Sequence, residues 1–136
     1  MDGWRDNLVD SREGIEAILR ESRRIAVLGI KTEAQRDRPA FYVPEYMARA
    51  GYDIVPVPVY FPDATEILGR PVYRTLANIP QPVDMINVFR RSHDNPQHVP
   101  DILAARPKAV WIQTGIRNAA VADALARAGI KVVQDR

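Results

Sequence analysis

Five short apolar runs punctuate the chain: RIAVLGI (24–30), YDIVPV (52–57), VDMINVF (83–89), AVWIQ (109–113) and IKVVQ (130–134). They are near-continuous rather than strictly alternating, the pattern of strands covered on both faces, as in a parallel sheet. Stretches with helical spacing lie between and before them. Residues 11–22 carry Ile15, Ile18 and Leu19 on one face, with Asp10 as the expected N-cap and Glu13 completing a capping box. A second helix is expected from about residues 41–43 to Gly51, with Pro44 in its first turn, where a missing N–H costs nothing. An extended piece at 71–73, a brief helix at 75–78, a helix at 96–105 and one at 118–128, capped by Asn118 and closed by Gly129, complete the pattern. Strands that alternate with helices from Arg24 onward predict the α/β class: a Rossmann-like, doubly wound parallel sheet in a single three-layer α/β/α domain spanning 24–136. Residues 1–23 are expected to form an N-terminal helical segment packed on it.

Composition narrows the function classes. With 136 residues the chain fits one domain, large enough to need no metal or disulfide staple. The absence of cysteine removes a disulfide framework, a Cys-based zinc site and a thiol nucleophile together. The charged N-terminal stretch has no apolar core of a secretory signal, and no apolar run approaches membrane-spanning length, so a cytoplasmic protein is expected. A formal net charge of +2, with arginines dispersed along the chain, gives no reason to expect a nucleic-acid partner. The basic pI of about 9.1 fits a pocket for a phosphorylated small molecule.

In open α/β sheets ligands bind beyond the carboxyl ends of the strands. That rule selects residues 29–38, 57–63, 89–93 and 113–117. In the first, Gly29 allows backbone to approach a phosphate, and Lys31, Thr32, Arg36 and Arg38 add donors; a plain tight turn with solvated basic residues is the competing reading. A dinucleotide fingerprint would place further glycines where Lys31 and Ala34 stand, and an acidic residue where Pro56 to Pro58 stand, so ordinary NAD binding is disfavoured. In the second stretch, exposed Val57, Val59, Tyr60 and Phe61 suit the wall of an adenine site, or equally a cap over the core. The third offers Arg90 and Arg91 for phosphate or carboxylate, one of them expected in a structural ion pair. His93 and His98 lack companions at metal spacing, so no metal site is expected; His93 beside Asp94 reads as a general base or as a solvated side chain. The fourth ends in Gln113-Thr114-Gly115, and Trp111 is expected in the core. No nucleophile elbow, P-loop or paired carboxylates emerge, so no catalytic residue is assigned and a binding module is favoured over an enzyme.

The string IAVLGIKTEAQRDRPAFYVPEYMARAGYDIVPVPVYF, followed in order by EILGRPVY, LANIPQPVDMINVFRRS, AVWIQTGIRN and GIKVVQDR, resembles the bacterial CoA-binding-domain family of small stand-alone proteins, within it the YccU-like group. The likeness runs from about Arg24 to the C-terminus, and the family is similar to the CoA-binding domain of the succinyl-CoA synthetase α subunit. The resemblance implies a Rossmann-like fold with coenzyme A, or an acyl-CoA, in the crevice. Carried over by position, Gly29, Ile30, Lys31 and Thr32 would form the phosphate loop, with Arg38 and Pro39 at its far side. Val57 and Pro58 would flank adenine, while Phe89, Arg90, Gln113 and Gly115 would line the path of the pantetheine arm. The chain departs from many relatives in having Lys31 at a position they give to a small residue, in the extended TEAQRD segment, and in stopping at Arg136 where relatives commonly continue to a cysteine. The synthetase's phosphorylated histidine lies outside this domain, so its catalysis is not implied. The alternative is an enzyme or an NAD- or nucleotide-dependent redox-type protein using the same crevice, and a protein partner or homo-oligomer stays open.

Overall fold

A computed structural model describes residues 3–136. Each apolar run becomes a strand: β1 (Arg24–Leu28), β2 (Asp53–Val57), then a small hairpin of β3 (Glu66–Ile67) and β4 (Arg70–Pro71), followed by β5 (Met85–Val88), β6 (Ala109–Ile112) and β7 (Lys131–Val133). The hairpin is antiparallel; the other five strands form one parallel sheet in the order β2-β1-β5-β6-β7. The chain moves outward from β1 to β2 and then restarts on the other side of β1 at β5. That reversal makes a doubly wound sheet with its switch point between β1 and β5.

Right-handed crossovers sort the helices onto two faces. On one face lie α1 (Arg12–Glu21) and α2 (Pro39–Arg49), covering Ile25, Val27, Ile54 and Met85. On the other lie α3 (Val99–Ala105) and α4 (Ala119–Arg127), covering Ala26, Leu28, Ile86 and Val110. Both edges of the sheet are managed. Pro56 sits within β2, an edge strand, where proline is tolerated, so the strand runs through it. Along β7, Leu8 bridges Val132 in parallel and Val9 N–H donates to the Val132 carbonyl at 2.8 Å. The N-terminal segment is thereby tied to the sheet, and Trp4 packs between the guanidinium groups of Arg5 and Arg127.

Several boundaries differ from the sequence expectation, each for a local reason. The N-cap of α1 is Ser11, not Asp10: its hydroxyl accepts from Gly14 N–H at 3.1 Å. The capping box appears instead at Thr32 and Gln35, opening a 3-10 turn in the stretch read as loop. α2 starts at Pro39, two residues ahead of the earliest expected start, with Pro39 itself pre-set for the first turn. Pro44 therefore falls inside the helix rather than in its first turn. The β1 strand stops at Leu28, and residues 96–98 form a 3-10 turn ahead of α3. The short hairpin has no apolar alternation and was not foreseen; the extended piece expected at 71–73 overlaps its second strand.

Candidate functional site

The loop after β1 is shaped by what two residues lack. Gly29 has φ +89°, and a Cβ placed there would lie 2.4 Å from the carbonyl oxygen of Phe89 across the switch point. Only glycine lets β1 and β5 approach so closely at this point. Its N–H donates to the Val57 carbonyl at 2.8 Å, and Phe89 N–H donates to the Leu28 carbonyl at 2.9 Å, joining three strand ends. Pro44 lacks the N–H that would bond the Ala40 carbonyl four residues back. That carbonyl instead accepts the Lys31 N–H at 3.1 Å. The interior proline thus supplies the anchor that holds the loop against the first turn of α2. Glu33 adds a second tie by accepting Leu68 N–H at 2.9 Å from the hairpin.

The loop after β2 is held from outside. Arg74 spreads its guanidinium over the carbonyls of Tyr60, Phe61, Pro62 and Ala64 at 2.7–3.3 Å. This clamp accompanies a left-handed conformation at Phe61 (φ 63°), which a non-glycine residue adopts at a cost. The loop presents Tyr60, which is 57% exposed, with the Arg90 guanidinium 5.4 Å from its ring, while Lys31 Nζ lies 5.8 Å from the Phe61 ring. The hydrogen bond from Arg90 and its charge lower the Tyr60 pKa below the usual phenol value.

Arg90 is the hub of the third loop. It donates through Nε to His98 Nε2 at 3.1 Å and through a terminal nitrogen to the Tyr60 hydroxyl at 3.3 Å, with Asp94 at 3.8 Å. Burial, followed by the nearby Arg90 charge, holds the His98 pKa below its usual value. For Asp94 desolvation acts upward, but the hydrogen bond from Arg91 and the charges of His93 and Arg90 leave it lowered. The fourth loop is tied to the third: Asn118 caps α4 by accepting Val121 N–H at 3.1 Å and donates to the Ser92 carbonyl at 2.8 Å. The last residues return over the sheet end, where Thr114 donates to the Arg136 carbonyl at 2.8 Å and Gln134 accepts Asn118 N–H at the same distance.

The loops after β1, β5 and β6, the start of α2 and Arg136 border a cavity of about 540 Å³, within the range of small-molecule sites. Lys31, Arg38, Arg90, Arg91 and Arg136 line it, and among the described residues no Asp or Glu side chain does. Its apolar surface comes from Pro39, Ala40, Tyr42, Val43, Phe89 and Ile116. Such a space accepts an anion at a cationic rim and apolar matter beside it.

Six of the twelve expected residues come together on this cavity: Lys31, Arg38, Pro39, Phe89, Arg90 and Gln113. Gly29 shapes it from behind. Ile30 and Val57 are 1% exposed and Pro58 is buried, so the apolar wall expected of Val57 is not formed by its side chain; these side chains serve the core because the backbone turns outward only after them. The Thr32 hydroxyl is committed to the cap, 2.7 Å from Gln35 Oε1. Gly115 lies outside the cavity, its N–H bonded to the Asp135 carboxylate. His93 also lies outside it, 70% exposed beside Asp94. Trp111 is half-buried against the core, as expected. Tyr42, Val43 and Arg136 lie outside the four stretches that the sequence selects, while Thr114 and Ile116 fall within the fourth without an assigned role. The signal for the first two was Pro39 as a helix start; nothing in the pattern brings Arg136 back to the cavity.

The fold and this crevice define a class: doubly wound α/β domains that open a ligand-sized, cation-lined cavity at the switch point. The chain belongs to the CoA-binding domain family, whose model, described as CoA binding domain, matches residues 23–136. It is 35% identical over 125 residues to the uncharacterized protein YneT of Bacillus subtilis, covering 92% of this chain and 89% of YneT. A Thermus thermophilus protein of solved structure, cell-free ID.343, is similar at 38% identity with a TM-score of 0.84, over 93% of this chain and 92% of that one. A hypothetical protein from Pyrococcus horikoshii is similar at 28% identity with a TM-score of 0.82, over 93% and 86% of the two chains.

Proposed function

We propose that the cavity binds coenzyme A, in its free or acylated form, and that binding rather than turnover is what the protein does. The observation that carries this is the rim: five cationic side chains and, among the described residues, no acidic one, around a cavity with an apolar interior. Five of the chain's 19 Lys and Arg residues meet here, which suits a pyrophosphate and a further phosphate. In this reading Lys31, Arg38 and the first turn of α2 receive phosphate oxygens, and Phe89 and Gln113 border the pantetheine arm. Adenine lies against the Tyr60–Phe61 loop rather than against Val57 and Pro58, whose side chains are buried. Family membership supports the choice of coenzyme A over another phosphoester. The reading of His93 as a general base loses support from its position outside the cavity.

The test is thermal unfolding with ligand. Coenzyme A is expected to raise the melting temperature by linkage, by an amount that grows with concentration, while NAD and ATP have little effect. Lys31→Glu or Arg38→Glu is expected to weaken binding at least tenfold without unfolding the protein. No shift at millimolar coenzyme A, with the protein folded by circular dichroism, overturns the proposal.

A further inference from the structure

Behind the cavity lies a second space that the phosphate rim does not explain. It is a chamber of about 180 Å³ between α1, α2 and the sheet, walled by Leu19, Met47, Met85 and Trp111. Val43, Gln113 and Arg136 border both spaces, so the chamber adjoins the crevice.

Where the two meet sits a polar pair that a simple packing defect would not need. Asn87 projects from the middle of β5 and is only 2% exposed. Its carbonyl oxygen accepts from the Gln113 amide, but among the described residues its own NH₂ finds only the thioether of Met47, at 3.8 Å. A buried amide normally meets oxygen acceptors, and a thioether is a weak substitute. The Asn87 NH₂ therefore borders the chamber with donor capacity to spare. A carbonyl oxygen at the neck would satisfy it, with apolar matter beyond.

We propose that this chamber is an acyl pocket: the crevice takes a short-chain acyl thioester of coenzyme A, with the thioester carbonyl beside Asn87 and the chain among Leu19, Met47, Met85 and Trp111. The proposal rests on the coenzyme A reading of the crevice and specifies its cargo. Size sets the chain length. At ~30 Å³ per heavy atom, the share one water takes in the liquid, the chamber holds about six heavy atoms. With the carbonyl at the neck, the alkyl chains of butyryl to hexanoyl groups fit within that limit, and a palmitoyl chain does not.

The test is calorimetric titration of coenzyme A, butyryl-CoA and palmitoyl-CoA. Burial of each methylene is worth about a fourfold gain in affinity, so butyryl-CoA is expected to bind at least tenfold tighter than coenzyme A, and palmitoyl-CoA no tighter than coenzyme A. Leu19 touches the chamber but not the crevice. Leu19→Phe is expected to fill the space and erase the butyryl preference while the Kd for coenzyme A is unchanged. If the larger ring unfolds the protein, Leu19→Ala reads the same site in the other direction, extending the preferred chain beyond hexanoyl. Equal affinity for coenzyme A and butyryl-CoA overturns the acyl pocket and leaves the coenzyme A reading intact, as does a butyryl preference that survives Leu19→Phe. Failure of all three ligands to bind removes both readings together.

Discussion

On one face of the sheet, α3 and α4, the latter through Leu125, close over Val88, Val110 and Ile112, and the gap left among them has no room for a water molecule. On the other, α1 and α2 leave a chamber of about 180 Å³ that shares Val43, Gln113 and Arg136 with the crevice. The closed face has the shorter helices, 7 and 9 residues against 10 and 11, so helix size does not account for the difference. Topology does. The hollow face is covered by α2, whose start is drawn towards the strand ends by the Lys31–Ala40 bond, and by α1, which comes from outside the alternating unit. The closed face is covered by two consecutive crossovers that share a core. One face carries stability and the other has space to carry a ligand, with Gly29 at the seam between β1 and β5.

The largest expected effect breaks the closed face. Leu125 is fully buried, in a region with no spare volume. Leu125→Ala is expected to cost about 3–5 kcal/mol, the upper part of the range for leucine truncation, measured by urea unfolding with an unchanged m-value. A loss near 1 kcal/mol would mean that the closed face relaxes as easily as the hollow one.

Next is the seam. Gly29→Ala puts a methyl 2.4 Å from a backbone oxygen and a non-glycine residue at φ +89°. The left-handed conformation costs about 1–2 kcal/mol and the clash adds a comparable amount, so a loss of about 2–4 kcal/mol is expected. The same variant is expected to weaken coenzyme A binding, because relieving the clash requires the ends of β1 and β5 to part. Full affinity with full stability would remove Gly29 from its role in shaping the crevice.

The seam was legible in the sequence because a glycine after a β-branched apolar run has few other uses. The sheet was legible for the same reason: continuous apolar runs separated by helical spacing leave little choice of architecture. Half of the expected crevice residues were found by the rule that ligands bind at strand ends. The others fell to detail that periodicity does not carry. Val57 and Pro58 were displaced by the depth at which β2 ends. Tyr42 and Val43 are hidden because the sequence places Pro44 in the first helical turn, where the structure has Pro39. An interior proline is also what redirects the Ala40 carbonyl to Lys31, a bond that no local pattern foretells. Arg136 reaches the crevice through tertiary contacts of the last residues with Thr114 and Ile112.

A third, smaller effect separates the faces by pH. His98 lies on the closed side and accepts a hydrogen bond from Arg90, so it must be neutral at Nε2. Its folded pKa is depressed below 6.5, chiefly by burial and then by the Arg90 charge. The unfolded chain therefore takes up the proton first as pH falls. The stability His98 contributes is intact above 6.5 and is lost as pH drops below that value towards the folded pKa. Asp84 and Asp94 are also depressed, but from 3.8, so their contributions are lost only at lower pH. Melting temperature is thus expected to fall between about pH 7 and pH 5, and His98→Gln, which keeps an acceptor for Arg90 but does not titrate, is expected to flatten that slope. A slope that persists in His98→Gln would assign the titration to another group.

The smallest effect sharpens the comparison most directly. Leu19→Ala removes the same atoms as Leu125→Ala, but from a half-buried position beside existing space. Truncation there creates no new enclosed void, so only part of the transfer free energy is lost, about 1 kcal/mol. The two variants form a matched pair, one residue type on each face, read by the same urea unfolding. A ratio of losses near three supports a closed face and a hollow one. Equal losses would mean that α1 closes on the sheet in solution, leaving no chamber for an acyl chain to enter.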